Sequence, residues 1–523
     1  MKRNLLKAIG ISFLIFVVLS WIIPVGTYSN GEFTKGSVDA VGLFDLVNVP
    51  VSTLLTFALY IAVFACIGGL YGVMEKTGAL TSWVEKINKK FSGKEKGFLI
   101  FTIIFFVVLS SVTGLVLPLF VLVPLFAMIL FAMNYDKVTA MASTVGAMLI
   151  GSVCSTYGFN ITGYTKNILT LDMNNEIWAK VVLLVLLTAA LIFFVLKFST
   201  RKAAKVAAPR KEAKVEKEEK KEVKAPAKKE TSQAKKAPAK KPAAKKQANK
   251  TKKTTTKKTT QNMAVAKDVK KVKDAKSVSI IPLVIIFVLM TVITMVGMYN
   301  WYYAFGINVF NDIHTSIMSV KIGDFPIFEH LLSGISQIGY WGNVEFIIMM
   351  VFAAVIIAFI YKLKVGQFVE SFIAGVKKML PTAIYAALAS LILTVLYQAS
   401  YSGTGTITDT MFNATMGMSD GFNVLTTGLT AFYGSFFYND LYYLLSSMAA
   451  YLTSFDAGSL TIAGLLVQSI YGLGMIIFPT SVILIAGLSY FDVSWKQWFK
   501  YIWKFALAVL LIVLLVCCIL TVM

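Results

Sequence analysis

Four clusters of small polar residues interrupt otherwise apolar sequence, and their side chains are of the kind that hold ions. Ser110, Ser111 and Thr113 precede Gly114; Ser155, Thr156, Asn160 and Thr162 form a second group; Ser435, Asn439 and Asp440 a third; Thr480 and Ser481, after Pro479, a fourth. Hydroxyls, amides and freed carbonyls are hard oxygen ligands suited to alkali cations, while the N-terminus of a half-helix attracts carboxylates. Any single hydroxyl more often packs helices or satisfies backbone; at Thr480-Ser481 the binding role outweighs that one. Na⁺ or H⁺ is the coupling ion in this reading, with a Na⁺ placed near Asn160 and Thr480; no resident cofactor and no other metal is expected. Asp440 and Lys166 are ionisable groups near membrane depth, where charge is costly and functional by default. Asp409, in the Gly-rich stretch Ser402–Thr410, serves equally well as a cavity residue or an outer turn. G-x-x-x-x-G-K-[ST], H-E-x-x-H and G-x-S-x-G are absent, which argues against ATP hydrolysis and against an enzyme.

The elements that carry these clusters are too long for single spans. The run from Gly458 to Ser489 would make roughly 48 Å of helix, against a hydrocarbon core of about 30 Å. Pro479 cannot donate the helical hydrogen bond, so the run breaks there, and a break at membrane depth is tolerated where it lines a polar cavity. Val138–Leu169 is equally over-long and breaks at Ser152–Asn160. Phe98–Met133 and Val424–Leu452 fit re-entrant hairpins with tips at Ser110–Gly114 and Gly434–Asp440.

Composition sets the class. The chain of 523 residues is 57% hydrophobic with a mean hydropathy of +0.72, so an all-α polytopic membrane protein is expected. The net charge of +23 is concentrated in Ser199–Ser277, with 28 Lys/Arg against 8 Asp/Glu. That segment lacks aromatic residues and reads as a disordered tether able to touch the anionic inner leaflet. Without a fold motif or stacking aromatics, the charge does not point to nucleic acid. Cys66, Cys154, Cys517 and Cys518 have no framework spacing, and His314 and His330 share one extramembrane loop.

Lysines in short loops place Glu75–Gly97, Lys362–Lys378 and Lys496–Lys504 on one side of the membrane. The expected localisation is the cytoplasmic membrane, multi-pass, with the N-terminus inside and the C-terminus outside. Span, hairpin, broken crossing and span then begin near residues 51, 98, 138 and 178, and again near 380, 424, 458 and 502. The charge pattern orients the two copies oppositely, which predicts inverted-topology repeats with two re-entrant hairpins and two broken transmembrane helices. The domains are therefore 1–198, a linker 199–277, and 278–523.

Trp21-Ile22-Ile23-Pro24-Val25-Gly26, Val41-Gly42-Leu43-Phe44-Asp45 and Glu75-Lys76-Thr77-Gly78-Ala79 resemble the N-terminal half of the YfcC family, anaerobic four-carbon dicarboxylate carrier-like proteins of the ion transporter superfamily. Gln468, Pro479-Thr480-Ser481, Gly487 and Trp498-Phe499-Lys500 resemble its closing signature. The resemblance implies a secondary transporter for a small organic anion, a dicarboxylate or short-chain carboxylate, or for an amino acid. It would work by alternating access, coupled to an ion or by exchange. A basic amino-acid antiporter of the arginine/ornithine type and a passive channel stand as alternatives. The implied partners are a small-molecule substrate, the lipid bilayer and, as an open option, a second copy in a homodimer. The chain departs from the family pattern in three places. Tyr438-Asn439-Asp440-Leu441 stands where the family has Asn followed by Ser-Gly-Ser-Gly. Thr113–Pro118 lacks an acidic residue, and Ile476 or Ile477 replaces an Asn.

Overall fold

Long apolar stretches can satisfy their backbone in lipid by bonding it internally as helix. The computed structural model describes residues 2–29, 32–172, 174–201, 278–332, 334–399 and 407–523, and the described residues are mostly helical. Eight of their helices are long and apolar enough to cross a membrane. The strands among them form two antiparallel ribbons, Gly26–Ser29 with Glu32–Lys35 and Lys321–Ile322 with Phe325–Pro326. The lysine-rich tether beyond Arg201, and residues 402–406 of the Gly-rich stretch, lie outside the described residues.

In the first half, Ala58–Lys76 is followed by two antiparallel arms, Glu95–Thr113 and Val116–Ala132. They reverse at Gly114, whose φ of 68° suits a residue without Cβ. Phe126 on the return arm stacks among Phe98, Phe101, Phe105 and Phe106, which closes the hairpin. Then come Lys137–Val153, a non-helical stretch, Thr162–Leu169 and the span Ile177–Phe198. In the second half, Val365–Leu388 leads to a hairpin of Val424–Phe437 and Leu441–Leu452, turning at residues 438–440. Ala457–Ile477 and Val482–Phe491 flank the Pro479 break, and Trp495–Val522 closes the chain. In each half a hairpin, an interrupted helix and a long closing helix follow in that order, while Ala79–Lys90 in the first half and Leu391–Ala399 and Ile407–Met416 in the second precede the hairpin without matching one another in number.

Three boundaries differ from expectation. The span predicted to begin near residue 51 is two helices, Asp45–Thr56 and Ala58–Lys76, parted at Phe57. The span predicted to begin near residue 380 starts earlier, at Val365, runs through Pro381, and bends by 43° where Leu391–Tyr397 begins. The first break starts two residues later than predicted, because Ser152 and Val153 still extend the helix.

The halves meet along glycines. Ala58–Lys76 packs on Val365–Leu388 so closely that a Cβ on Gly375 would lie 2.0 Å from the Gly68 carbonyl oxygen. A Cβ on Gly72 would lie 2.2 Å from that of Ser371. Small residues four apart on facing helices permit this backbone contact, which is how helices associate without a hydrophobic driving force. A second crossing sets Gly472 against the backbone of Val153, joining the two broken helices.

Candidate functional site

A broken helix leaves carbonyls without intrahelical donors, and at membrane depth each needs another partner. At the first break four successive carbonyls find one. The Ser111 hydroxyl donates to the Cys154 carbonyl at 2.6 Å, and the Gln468 amide to that of Ser155 at 2.8 Å. The Thr162 hydroxyl donates to the Thr156 carbonyl at 3.1 Å, and the Tyr299 hydroxyl to that of Tyr157 at 2.7 Å. The first hairpin is stitched to the broken helix as well. The Ser110 hydroxyl donates to the Met148 carbonyl at 2.7 Å, and the Ser155 hydroxyl and Thr156 N–H both donate to the Ser111 carbonyl.

The second break is built alike with different side chains. Trp498 and Trp495 on the last span donate their indole N–H groups to the carbonyls of Ile476 and Ile477, each at 2.9 Å. The Asn439 side chain donates to the Thr480 carbonyl at 3.0 Å and to the Ser390 hydroxyl at 2.9 Å. Ser390 sits at the 43° bend, so hairpin tip, helix break and bend converge on one amide. The Ser481 hydroxyl accepts from the Leu484 N–H at 3.3 Å and caps the helix that restarts there. The Thr480 hydroxyl is only 3% exposed and has no hydrogen-bond partner. An orphaned buried hydroxyl costs roughly 1–3 kcal/mol, a cost that Thr480 shares among the described residues with the hydroxyls of Thr294, Thr427 and Ser469.

Ala457–Ile477 ties the two clusters together. Gln468 reaches the first break, while Tyr471 donates to the Asn439 carbonyl at 2.9 Å and Gly474 makes room for Ser435. The structure thus gathers Ser110, Ser111, Ser155, Thr156 and Thr162 around one break and Ser435, Asn439, Thr480 and Ser481 around the other. Thr113 bonds the Leu109 carbonyl of its own helix, a local role. The Asn160 side chain makes no hydrogen bond among the described residues. Lys166 is engaged by the Tyr303 carbonyl at 3.2 Å. Asp409 lies in Ile407–Met416, where its backbone carbonyl accepts from the Tyr451 hydroxyl. Asp440 caps Leu441–Leu452 through the Tyr442 N–H at 2.9 Å.

Several site residues escape sequence reasoning. Ser390, Trp495 and Gln468 are joined to the breaks only by tertiary contact; Gln468 and Trp498 stand in the resembling signature without a role that the sequence assigns. Lys180 is a second such case. It is the one buried charged side chain among the described residues, 4% exposed. It lines a cavity of about 10 Å³ with Thr165, Asp172, Asn175, Thr461 and Gln468, room for about one water.

A family model described as C4-dicarboxylate anaerobic carrier matches residues 47–240 and 239–522. No curated protein matches the chain. Among solved structures, the crystal structure of the Alcanivorax borkumensis YdaH transporter aligns with 98% of this chain and 97% of its own, at 13% identity and a TM-score of 0.39. That likeness is too loose to carry an argument.

Proposed function

This chain belongs to the C4-dicarboxylate anaerobic carrier family, a family of transporters rather than enzymes, and from that premise we propose that it moves a small organic carboxylate by alternating access. The observation that supports this most is the shared construction of the two breaks, each clamped by side chains from elsewhere and joined through Ala457–Ile477. The units that move are a hairpin with its broken helix, and the glycine-packed pair Ala58–Lys76 and Val365–Leu388 is the scaffold against which they move. The half-helix N-termini at Thr162 and Val482 favour a carboxylate between them. The buried Thr480 hydroxyl offers an oxygen to a coupling Na⁺.

In this reading the halves are inverted repeats in a cytoplasmic membrane, with the N-terminus inside and the C-terminus outside. Uptake into proteoliposomes, screened across dicarboxylates, short-chain acids and amino acids with and without Na⁺, tests it. Saturable uptake of at least one carboxylate is expected. Flux that stays linear into the millimolar range for every solute would replace the carrier with a channel.

A further inference from the structure

Ala79–Lys90 is an amphipathic helix that buries Ala79, Leu80 and Val84 in the core. Trp83, Lys86, Ile87 and Lys90 follow one another at spacings of three and four, so they share a neighbouring face. That face is one wall of a groove of about 350 Å³, and the apolar helix Ile281–Met298 supplies the other through Ile281, Val284 and Ile285. The volume lies within the roughly 300–1,000 Å³ of sites that hold small molecules. Apart from Lys86 and Lys90 the lining is apolar or aromatic, and no acidic residue belongs to it. Both lysines are exposed, and neither forms an ion pair among the described residues.

Both walls are held in place. The Tyr361 hydroxyl donates to the Ser279 carbonyl at 2.6 Å and accepts from the Leu283 N–H at 3.2 Å, which fixes the start of Ile281–Met298. The Trp83 ring meets Phe287 edge-on at 5.9 Å, and Phe287 meets Tyr71 in the same way at 6.0 Å. The Tyr71 hydroxyl donates to the Val121 carbonyl at 2.8 Å and accepts from the Leu125 N–H at 3.2 Å, both on the return arm of the first hairpin. The groove is therefore preformed, and its wall continues into the hairpin.

An apolar groove between membrane helices with two cations on its rim suits a molecule with an apolar tail and an anionic head. We propose that it is a site for an anionic phospholipid, drawn from the leaflet on the side of the lysine-rich loops. An acyl chain lies along Ile87, Val284 and Ile285, and the phosphate sits on Lys86 and Lys90. A zwitterionic lipid fills the apolar part equally but brings a cation of its own, which opposes the lysines. The lysine-rich segment rejoins the described chain beside this groove, yet Ser199–Ser277 carries 28 Lys/Arg against 8 Asp/Glu, the sign of the rim, so like charge keeps it out. A bound lipid braces Trp83 and, through Phe287 and Tyr71, the first hairpin.

The test uses the full chain, stripped of lipid in detergent and titrated with dioleoyl phosphatidylglycerol or dioleoyl phosphatidylcholine. Native mass spectrometry reads the lipid retained, and a melt reads the thermal midpoint. About tenfold tighter retention of phosphatidylglycerol is expected, with a higher midpoint, because a ligand of the folded state alone stabilises it. Lys86→Ser with Lys90→Ser should remove the preference and the shift. Lys89→Ser with Lys94→Ser, an equal loss of charge from exposed lysines outside the groove, should keep both. Val284→Trp, which fills the groove and spares the lysines, should lower retention of either lipid. Equal retention of the two lipids, unchanged retention by the Val284→Trp variant, a Lys86/Lys90 variant that keeps the preference, or a control pair that loses it overturns the site. Inorganic phosphate that reproduces the midpoint shift at millimolar concentration makes this a phosphate site and overturns the lipid. A preference that emerges only after deletion of residues 202–276 seats that segment in the groove and overturns the proposal too.

Discussion

Trp498 explains how a proline can stop a helix in the middle of a membrane without leaving bare carbonyls. Its buried indole donates to the Ile476 carbonyl, one of the groups that the helix end leaves orphaned. Trp498→Phe keeps most of the packing and removes the donor. It should destabilise the protein by about 1–3 kcal/mol, the cost of an unsatisfied buried acceptor, read as a lower thermal midpoint in detergent; an unchanged midpoint would mean that another donor holds that carbonyl. Thr480→Val separates stability from function. The hydroxyl it removes has no partner, so the midpoint should hold or rise. Transport at fixed solute should fall on the order of tenfold, equivalent to about 1.4 kcal/mol of lost ligand contact. Full transport by the Thr480→Val variant would return Thr480 to a packing role.

At the scale of elements, the glycine contact between the halves is the joint on which everything else is set. Gly375→Leu forces a side chain into the Gly68 carbonyl and should cost upwards of about 1–3 kcal/mol through overpacking, seen as loss of monodisperse protein on size exclusion. Gly366→Ala, in the same helix with nothing within 4 Å of its Cβ, is the control and should be neutral or mildly stabilising. The over-long runs and Pro479 made the breaks legible in the sequence, because length against bilayer thickness and a missing donor are local properties. The bend at Ser390 was not legible. Pro381, the residue that should have marked it, is accommodated in the helix, and the bend falls where Asn439 reaches Ser390, a contact 49 residues away in the chain. Trp495 and Gln468 escaped for the same reason, since their partners lie 18 and 313 residues distant. The Gly68 and Gly72 spacing was a readable signal for close packing, but its partner on Val365–Leu388 was not readable without the fold.

At the scale of the whole molecule, the family match comes in two pieces, residues 47–240 and 239–522, which meet within the lysine-rich segment. If that segment is a tether, deleting residues 202–276 should leave the KM and maximal rate of uptake unchanged in protein that inserts correctly. Total loss of transport would give the segment a part in the mechanism. Carrier transport requires that a site between the two breaks be exposed alternately to either side. Counterflow measures this most directly: proteoliposomes loaded with unlabelled solute and diluted into a trace of labelled solute. Transient accumulation of label above equilibrium, scaling with internal solute, is the predicted result. Label that only equilibrates, at a rate indifferent to the internal solute, would contradict it.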